Sequence, residues 1–379
     1  MITILFWFSA AVLAYVYFGY PMIVRSLAAL IGRPVGRAVN RPRTLTVVIT
    51  AYNEERSILG KLDNIFALEY PRELLDVIVA SDGSSDRTDE LVSSCGRERA
   101  QLLRVEGRRG KTACQNLAAQ RAAGEILVFT DATTLLEPNA LAVIAENFVD
   151  PQVGCVAGLL IYRRKGENLT AGGGVSYWNY EVALRMAESR LRTLIGVSGC
   201  LYAVRRSAYR PIPPHLISDF VIAMRMREQG LRTVLDTRAI CFEDTLDRSR
   251  HELAMRVRVT VRTISALVAE RRFLNPFVDP LFAWQLWSHK LLRYASPYWL
   301  LLMLLASAAL ARAPLYRVAL LGEVAVLATG LAGFALQMST RRVGWLGKPY
   351  YFLLTNLASV IAMLRYAMGE RMVTWNPLR

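Results

Sequence analysis

Four short apolar runs, TLTVVIT (44–50), DVIVAS (76–81), QLLRVE (101–106) and EILVFT (125–130), are separated by stretches whose apolar residues recur at helical spacing. The runs read as buried strands. The intervening segments begin at Glu54, Asp86, Gly110 and Pro138 with polar starts and read as helices. Strand and helix in alternation predict an α/β fold with a mostly parallel sheet and right-handed crossovers, occupying residues 44–245.

Both ends of the chain carry a different pattern. Residues 2–24 contain no charged side chain, and about 20 apolar residues suffice for a helix to cross the hydrocarbon core of a bilayer. A transmembrane helix over 1–25 is therefore expected. A cleaved signal peptide is the competing reading, but the positive leading region is missing and the apolar run is too long. Arg25, Arg33, Arg37, Arg41 and Arg43 follow at once and assign the next segment to the cytoplasm. Near the other end, apolar segments at 294–311, 318–340 and 349–364 predict about three spans within 294–366, with Glu323 turned to a partner helix or a cavity. Arg341, Arg342 and Lys348 suit a cytoplasmic loop between the last two. Residues 246–293 mix Phe282, Trp284 and Trp287 with His289, Lys290 and Arg293, as helices lying in a membrane interface do. Residues 367–379 form a tail.

Composition narrows the possibilities. The 379 residues suffice for one large domain and several membrane helices, and 53% of them are hydrophobic. The net charge of +15 is mostly arginine, since only five of the 46 basic residues are lysine. No basic run is interleaved with aromatics, so nucleic acid is not expected as a partner. The five cysteines include no CxxC pair. They predict neither a zinc site nor a disulfide framework, and a reducing compartment follows.

Candidate chemistry sits where the strands end, because an open α/β sheet binds ligands outside the carboxyl ends of its strands. After the first strand stands AYNEE (51–55), with no glycine-rich dinucleotide loop. Backbone near Ala51 and the side chains of Asn53 and Glu54 can meet a base and ribose, or the two side chains can cap a helix. The second strand ends in SDGSSD (81–86), where Asp82 can accept from the imide of a uracil and Asp86 suits a helix cap. GRRGK (107–111) opens the third helix and leads to Asn116. It reads either as a diphosphate-binding loop or as a solvated basic turn. Asp131 closes the fourth strand, and an aspartate there must coordinate a cation or accept hydrogen bonds.

AYNEE, SDGSSD, GRRGK with Asn116, GEILVFTDA (124–132), SGCLYAVRR (198–206) and ISDF (217–220) occur in the order seen in glycosyltransferase family 2, and the chain resembles the membrane-embedded branch that makes exopolysaccharide, chitin oligomers and hyaluronan. That resemblance implies a GT-A fold flanked by transmembrane helices, in an inverting enzyme that takes a nucleoside-diphosphate sugar, uridine preferred, and extends a lipid-linked or growing polysaccharide acceptor. It also implies Asp82 near the base, Lys111 near the diphosphate, Asp131 on Mg²⁺ or Mn²⁺, and Asp219 as general base, with capping of the following helix as the other reading of Asp219. Gly199 and Cys200 fall where substrate contacts are expected. A catalytic domain on the cytoplasmic face of a bacterial inner membrane follows. Two positions depart from the family pattern. Thr133 stands where a second acidic residue is usual, and RHELAMRVRVTVR (250–262) lacks the Gln and Trp of processive members, although Arg258 and Arg262 can still approach a diphosphate. A processive synthase and a non-catalytic export subunit are the alternative readings.

Overall fold

The computed structural model describes residues 1–39, 41–96, 100–163, 169–244, 249–337, 346–372 and 374. In chain order the main elements are α1 (Ile2–Ile31), β1 (Leu45–Ala51), α2 (Ile58–Phe66), β2 (Leu75–Ser81), α3 (Thr88–Ser94), β3 (Gln101–Arg104), α4 (Lys111–Arg121), β4 (Ile126–Asp131), β5 (Leu135–Leu136), α5 (Ala140–Asn147), β6 (Val153–Arg163), α6 (Leu169–Leu191), β7 (Leu201–Arg205), α7 (Ser218–Glu228) and β8 (Arg232–Asp244). They continue with α8 (Ser249–Ala269), α9 (Pro280–Tyr294), α10 (Ser296–Ala309), α11 (Pro314–Gln337) and α12 (Gly347–Ala367). The elements divide into two units. A sheet unit comprises Ile31–Arg163, Glu188–Asp244 and Arg371–Arg379, and a helical unit comprises Met1–Leu30, Arg164–Ala187 and Thr245–Glu370.

The sheet unit holds eight strands in the order β3-β2-β1-β4-β7-β6-β8-β5. The four strands read from the sequence are its parallel half: β1 pairs with β2 and β4, and β2 with β3, all parallel. All seven residues of β1 are buried, as expected where a strand is covered on both faces and its sequence is therefore continuously apolar. The other half is mixed. Strand β7 pairs antiparallel with β4 and β6, β6 pairs parallel with β8, and β5 pairs antiparallel with β8. The expectation of a mostly parallel sheet holds, with β5 and β7 as the antiparallel strands.

The reversal at β7 has a direct consequence. In its register Thr130 faces Leu201 and Phe129 faces Tyr202, so the residues that precede β7, and not those that follow it, lie at the carboxyl end of β4. Inside the sheet unit Phe129 stacks on Tyr202 at 4.9 Å and on Tyr209 at 5.6 Å between ring centres. Gly124 fixes the entry to β4. Its N–H donates to Thr46 Oγ1 at 2.9 Å, and a β-carbon there would lie 2.6 Å from the Leu45 carbonyl carbon and the Thr46 nitrogen.

In the helical unit, α1 and residues Pro314–Leu336 of α11 are long and apolar enough to cross a membrane, and α9 with α10 forms a third candidate bent by 57°. Among the described residues α12 does not join them. Helix α1 widens into a π-helical turn at Tyr15–Gly19, and Trp287–Leu291 within α9 does the same. The two wide turns are tied together: Trp284 Nε1 donates to Tyr15 Oη at 2.7 Å, and that hydroxyl meets Ser288 Oγ at 2.7 Å. Tyr180 Oη of α6 donates to the Tyr17 carbonyl at 3.0 Å, whose helical donor four residues on would be Pro21, which has no N–H. Glu181 is buried between His289 Nε2 at 2.8 Å and Arg293 Nη1 at 2.9 Å. Glu323 of α11 accepts from Ser307 Oγ of α10 at 3.0 Å, so this carboxyl is turned to a partner helix. Arg341, Arg342 and residues 373 and 375–379 of the tail lie outside the described residues.

Because the obstruction at Gly124 is backbone and cannot move aside, Gly124→Ala should destabilise the sheet unit by about 1–3 kcal/mol, the usual scale for overpacking. A lower melting temperature of the detergent-solubilised protein is the expected readout.

Candidate active site

Strand β4 delivers Asp131 to the carboxyl edge of the sheet, and α4 begins with Lys111 beside it. Lys111 Nζ donates to Asp131 Oδ1 and, at 3.2 Å, to the Gly199 carbonyl; Thr50 Oγ1 reaches the same Asp131 oxygen at 3.4 Å. Gly199 arrives by way of the reversed β7. A β-carbon on Gly199 would stand 3.0 Å from both Asp219 Oδ2 and Lys111 Nζ, so the absent side chain is what lets these two groups close on each other. Asp219 lies in the first turn of α7, where its backbone carbonyl accepts from Val197 N at 2.8 Å. Burial alone would pull Lys111 down, but the carboxylates of Asp131 and Asp219 more than offset it and raise the amine above its ordinary value. Lys111 therefore stays cationic. Asp131, Lys111, Gly199 and Asp219 form one cluster drawn from β4, α4, the segment before β7 and α7.

Asp82 is bonded to a neighbouring loop. It is fully buried, and its carboxylate accepts from the backbone N–H of Arg109 at 2.7 Å and of Gly110 at 3.0 Å. What this aspartate grips is the GRRGK loop that ends in Lys111. Gly83, with φ +67°, lets that loop approach: a β-carbon there would meet the Gly107 carbonyl oxygen at 2.8 Å. On the same rim Arg108 lies over the Tyr52 ring, 3.7 Å from its centre.

Asn53 takes a left-handed backbone (φ 54°), and its Oδ1 accepts from Ser85 N at 2.8 Å. The N–H of Glu54 donates to Thr88 Oγ1 at 2.8 Å, and that of Glu55 to Asp86 Oδ2 at 3.1 Å. The loops after β1 and β2 are thereby laced together, and capping of α2, which starts at Ile58, is not the task of Asn53. Ala51 ends β1 fully buried, its carbonyl accepting from Asp82 N at 2.9 Å. Asn116 is turned elsewhere: it donates to the Ile212 carbonyl at 2.7 Å and accepts from Tyr209 Oη at 2.8 Å, which fixes residues 209–212. Arg258 and Arg262 lie on α8 in the helical unit, Arg262 being buried.

Cys200 is buried, and its thiol donates to Glu243 Oε2 at 3.3 Å. Burial first, then the carboxylates of Glu243 and Asp131, hold the thiol well above its ordinary value, so it remains protonated. Tyr202 packs in the core and donates to Gln115 Oε1 at 3.2 Å. Sequence reasoning assigned no role to Glu243 and passed over Lys61. The latter is fully buried on α2, donates to Thr130 Oγ1 at 3.0 Å and to the Thr134 carbonyl at 2.5 Å, and is pulled down by burial to about 7. Its signal was present in the chain: a lysine in the core stripe of a short amphipathic helix.

The residues can be tested against a divalent ion. Among the described residues no three His, Cys, Asp or Glu side chains converge to form an all-protein cage. Asp131 supplies one partly exposed carboxylate whose recorded bonds both end on Oδ1. A single carboxylate with bound waters and substrate phosphates is a usual donor set for Mg²⁺ or similar hard ions. The site fits a metal shared with a diphosphate.

The mixed eight-stranded sheet, with β7 reversed beside β4, has the GT-A architecture. Residues 46–212 match the family described as Glycosyl transferase family 2. It is similar to the mannosyltransferase PcManGT from Pyrobaculum calidifontis, solved in complex with GDP-Man and Mn²⁺, with a TM-score of 0.73 and 25% identity over 97% of this chain and 99% of that one. It is also 25% identical over 205 residues to a poly-beta-1,6-N-acetyl-D-glucosamine synthase of Staphylococcus aureus, and 22% identical over 204 residues to the enzyme of that name in Staphylococcus epidermidis. Each of these matches spans 52% of this chain and about half the length of the curated relative, 49%.

Two outcomes are expected. Gly199→Ala should separate Lys111 from Asp219 while sparing the fold, since both obstructing atoms end flexible side chains; activity should fall at least about tenfold, the scale for a small misplacement of reacting groups. The melting temperature should change little. For Lys61, whose folded value is lowered to about 7 from 10.5, the unfolded chain binds a proton that the folded chain has lost throughout that interval. Stability therefore rises with pH across it. The difference in melting temperature between wild type and Lys61→Met should move in favour of wild type between pH 7 and pH 9.

Proposed function

We propose that the protein is an inverting membrane glycosyltransferase that moves a sugar from a nucleoside-diphosphate sugar to a lipid-linked or growing polysaccharide acceptor. One observation carries this reading: the Asp219 carboxylate and the Lys111–Asp131 pair close around Gly199 at the carboxyl edge of the sheet. In the reaction, Asp219 takes the proton from an acceptor hydroxyl as that oxygen attacks the anomeric carbon from the face opposite the departing diphosphate. Lys111 offsets the charge that develops on the leaving group. Asp131 would hold Mg²⁺ or Mn²⁺, which when bound neutralises diphosphate charge. Ala51, Asn53 and Glu54 form the end of the site toward base and ribose. Asp82 shapes the cationic loop from beneath.

The likeness to a mannosyltransferase crystallised with GDP-Man and Mn²⁺, over nearly the whole of both chains, supports a guanosine donor beside the uridine donor favoured by the family resemblance. The resemblance to poly-beta-1,6-N-acetyl-D-glucosamine synthases supports, as a second reading, a polymer-forming enzyme. The absence of Gln and Trp from residues 250–262 weighs against processive extension. Arg258 and Arg262 are assigned to the acceptor or diphosphate side. The apolar helices α1 and α11, together with the basic residues after α1, support a multi-pass protein of the bacterial inner membrane with the sheet unit in the cytoplasm.

Detergent-purified protein with Mn²⁺ should transfer sugar from one member of a panel of UDP- and GDP-sugars. Asp219→Asn should lower kcat by at least about a hundredfold, the low end for loss of a general base, with donor affinity little altered. Near-full transfer by Asp219→Asn removes this assignment of the base.

A further inference from the structure

Helix α2 buries one face through Ile58, Lys61, Leu62 and Ile65, each at most 1% exposed. Three of these are what a core stripe requires, and the fourth is an amine. Placing an amine in such a stripe is unfavourable unless its polar atom is matched, and a methionine of similar length would fill the space without that penalty. Burial of this kind points to a task other than stability.

The partners of Lys61 locate that task. Its two hydrogen bonds end on Thr130 Oγ1 and on the Thr134 carbonyl, the two ends of the five-residue turn that carries Asp131. Across the turn, Thr134 N donates to the Asp131 carbonyl at 3.3 Å. Thr130 Oγ1, accepting from Lys61, donates its own hydrogen bond to the Cys200 carbonyl at 2.8 Å. One residue before Cys200 is Gly199, whose carbonyl receives Lys111 and whose bare α-carbon faces Asp219. A single amine therefore sits behind both walls of the cluster. It touches neither Asp131 nor Asp219 through a hydrogen bond, and both bonds it makes are available to a charged or a neutral amine.

We propose that Lys61 is a positioning residue of the donor site, holding the Thr130–Thr134 turn that presents Asp131 and, through the Thr130 hydroxyl, the Gly199–Cys200 segment. The proposal rests on the donor-site reading above. Groups behind a ligating shell commonly change affinity about 10- to 100-fold when removed, although they never touch the ligand.

The test measures calorimetric binding of UDP and of GDP, each with Mn²⁺, to the full chain in detergent, giving affinity and stoichiometry separately. Wild type should bind one of the two. Lys61→Met and Thr130→Val should weaken that affinity by about tenfold or more, with stoichiometry kept, whereas Thr130→Ser, which restores the hydroxyl, should stay within about threefold of wild type. A role confined to folding would lower stoichiometry and melting temperature and leave the affinity of the remaining sites unchanged, and that result overturns the proposal. If Lys61→Met does not fold, the Thr130 pair decides alone: equal affinities for Thr130→Val and Thr130→Ser overturn it. Wild type binding neither nucleotide overturns the donor-site reading itself, and this role for Lys61 with it.

Discussion

The contact between Lys111 and Asp131 organises the sheet unit's working edge, because it ties the start of α4 to the end of β4. Lys111 comes to it from a loop shaped by the buried Asp82, and Asp131 comes to it at the end of the buried strand β4. A third contributor is Gly199, whose carbonyl accepts from the same amine. Three chain segments far apart in sequence are registered by one cation. Asp219 is then held at van der Waals range by the absence of a side chain, a constraint that chemistry alone would not reveal.

A second layer supports the first. Asp82, Asn53, Thr88 and Asp86 use their polar groups to join neighbouring loops, and Lys61 with Thr130 joins the β4 turn to the segment before β7. Loops with many backbone donors and acceptors are stiff when those groups are matched by side chains. The outcome is an edge whose loops are fixed by their own side chains.

Much of this was legible in the chain. Strands β1 to β4 were visible as apolar runs because both of their faces are covered, and the Asp131 and Asp219 motifs were visible because each follows or opens a regular element. Strand β7 was not legible: SGCLYAVRR stood only as a motif, and its direction is set by pairing with β4. The bracing role of Asp82 was hidden for a related reason. A carboxylate that accepts from backbone N–H groups leaves no mark in composition, since its partners carry no side-chain signal. Asn116 illustrates the same limit, being close in sequence to the cationic loop yet bonded to residues 209–212. Lys61 was legible in principle, as a polar intruder in an apolar stripe, but a lone lysine attracts little notice among so many basic residues.

The division of the chain into interleaved units bears on how the protein is made. Residues Arg164–Ala187 leave the sheet unit for the helical one and return before β7 is laid down. During synthesis, then, strands β1 to β4 emerge first, while the strand that seats Gly199 beside Asp131 follows only after residues 164–187, which belong to the other unit. Neither unit is a continuous stretch that a simple truncation could release. A ribosome-bound intermediate ending before residue 188 would hold Lys111 and Asp131 without Gly199, the segment that completes their contacts.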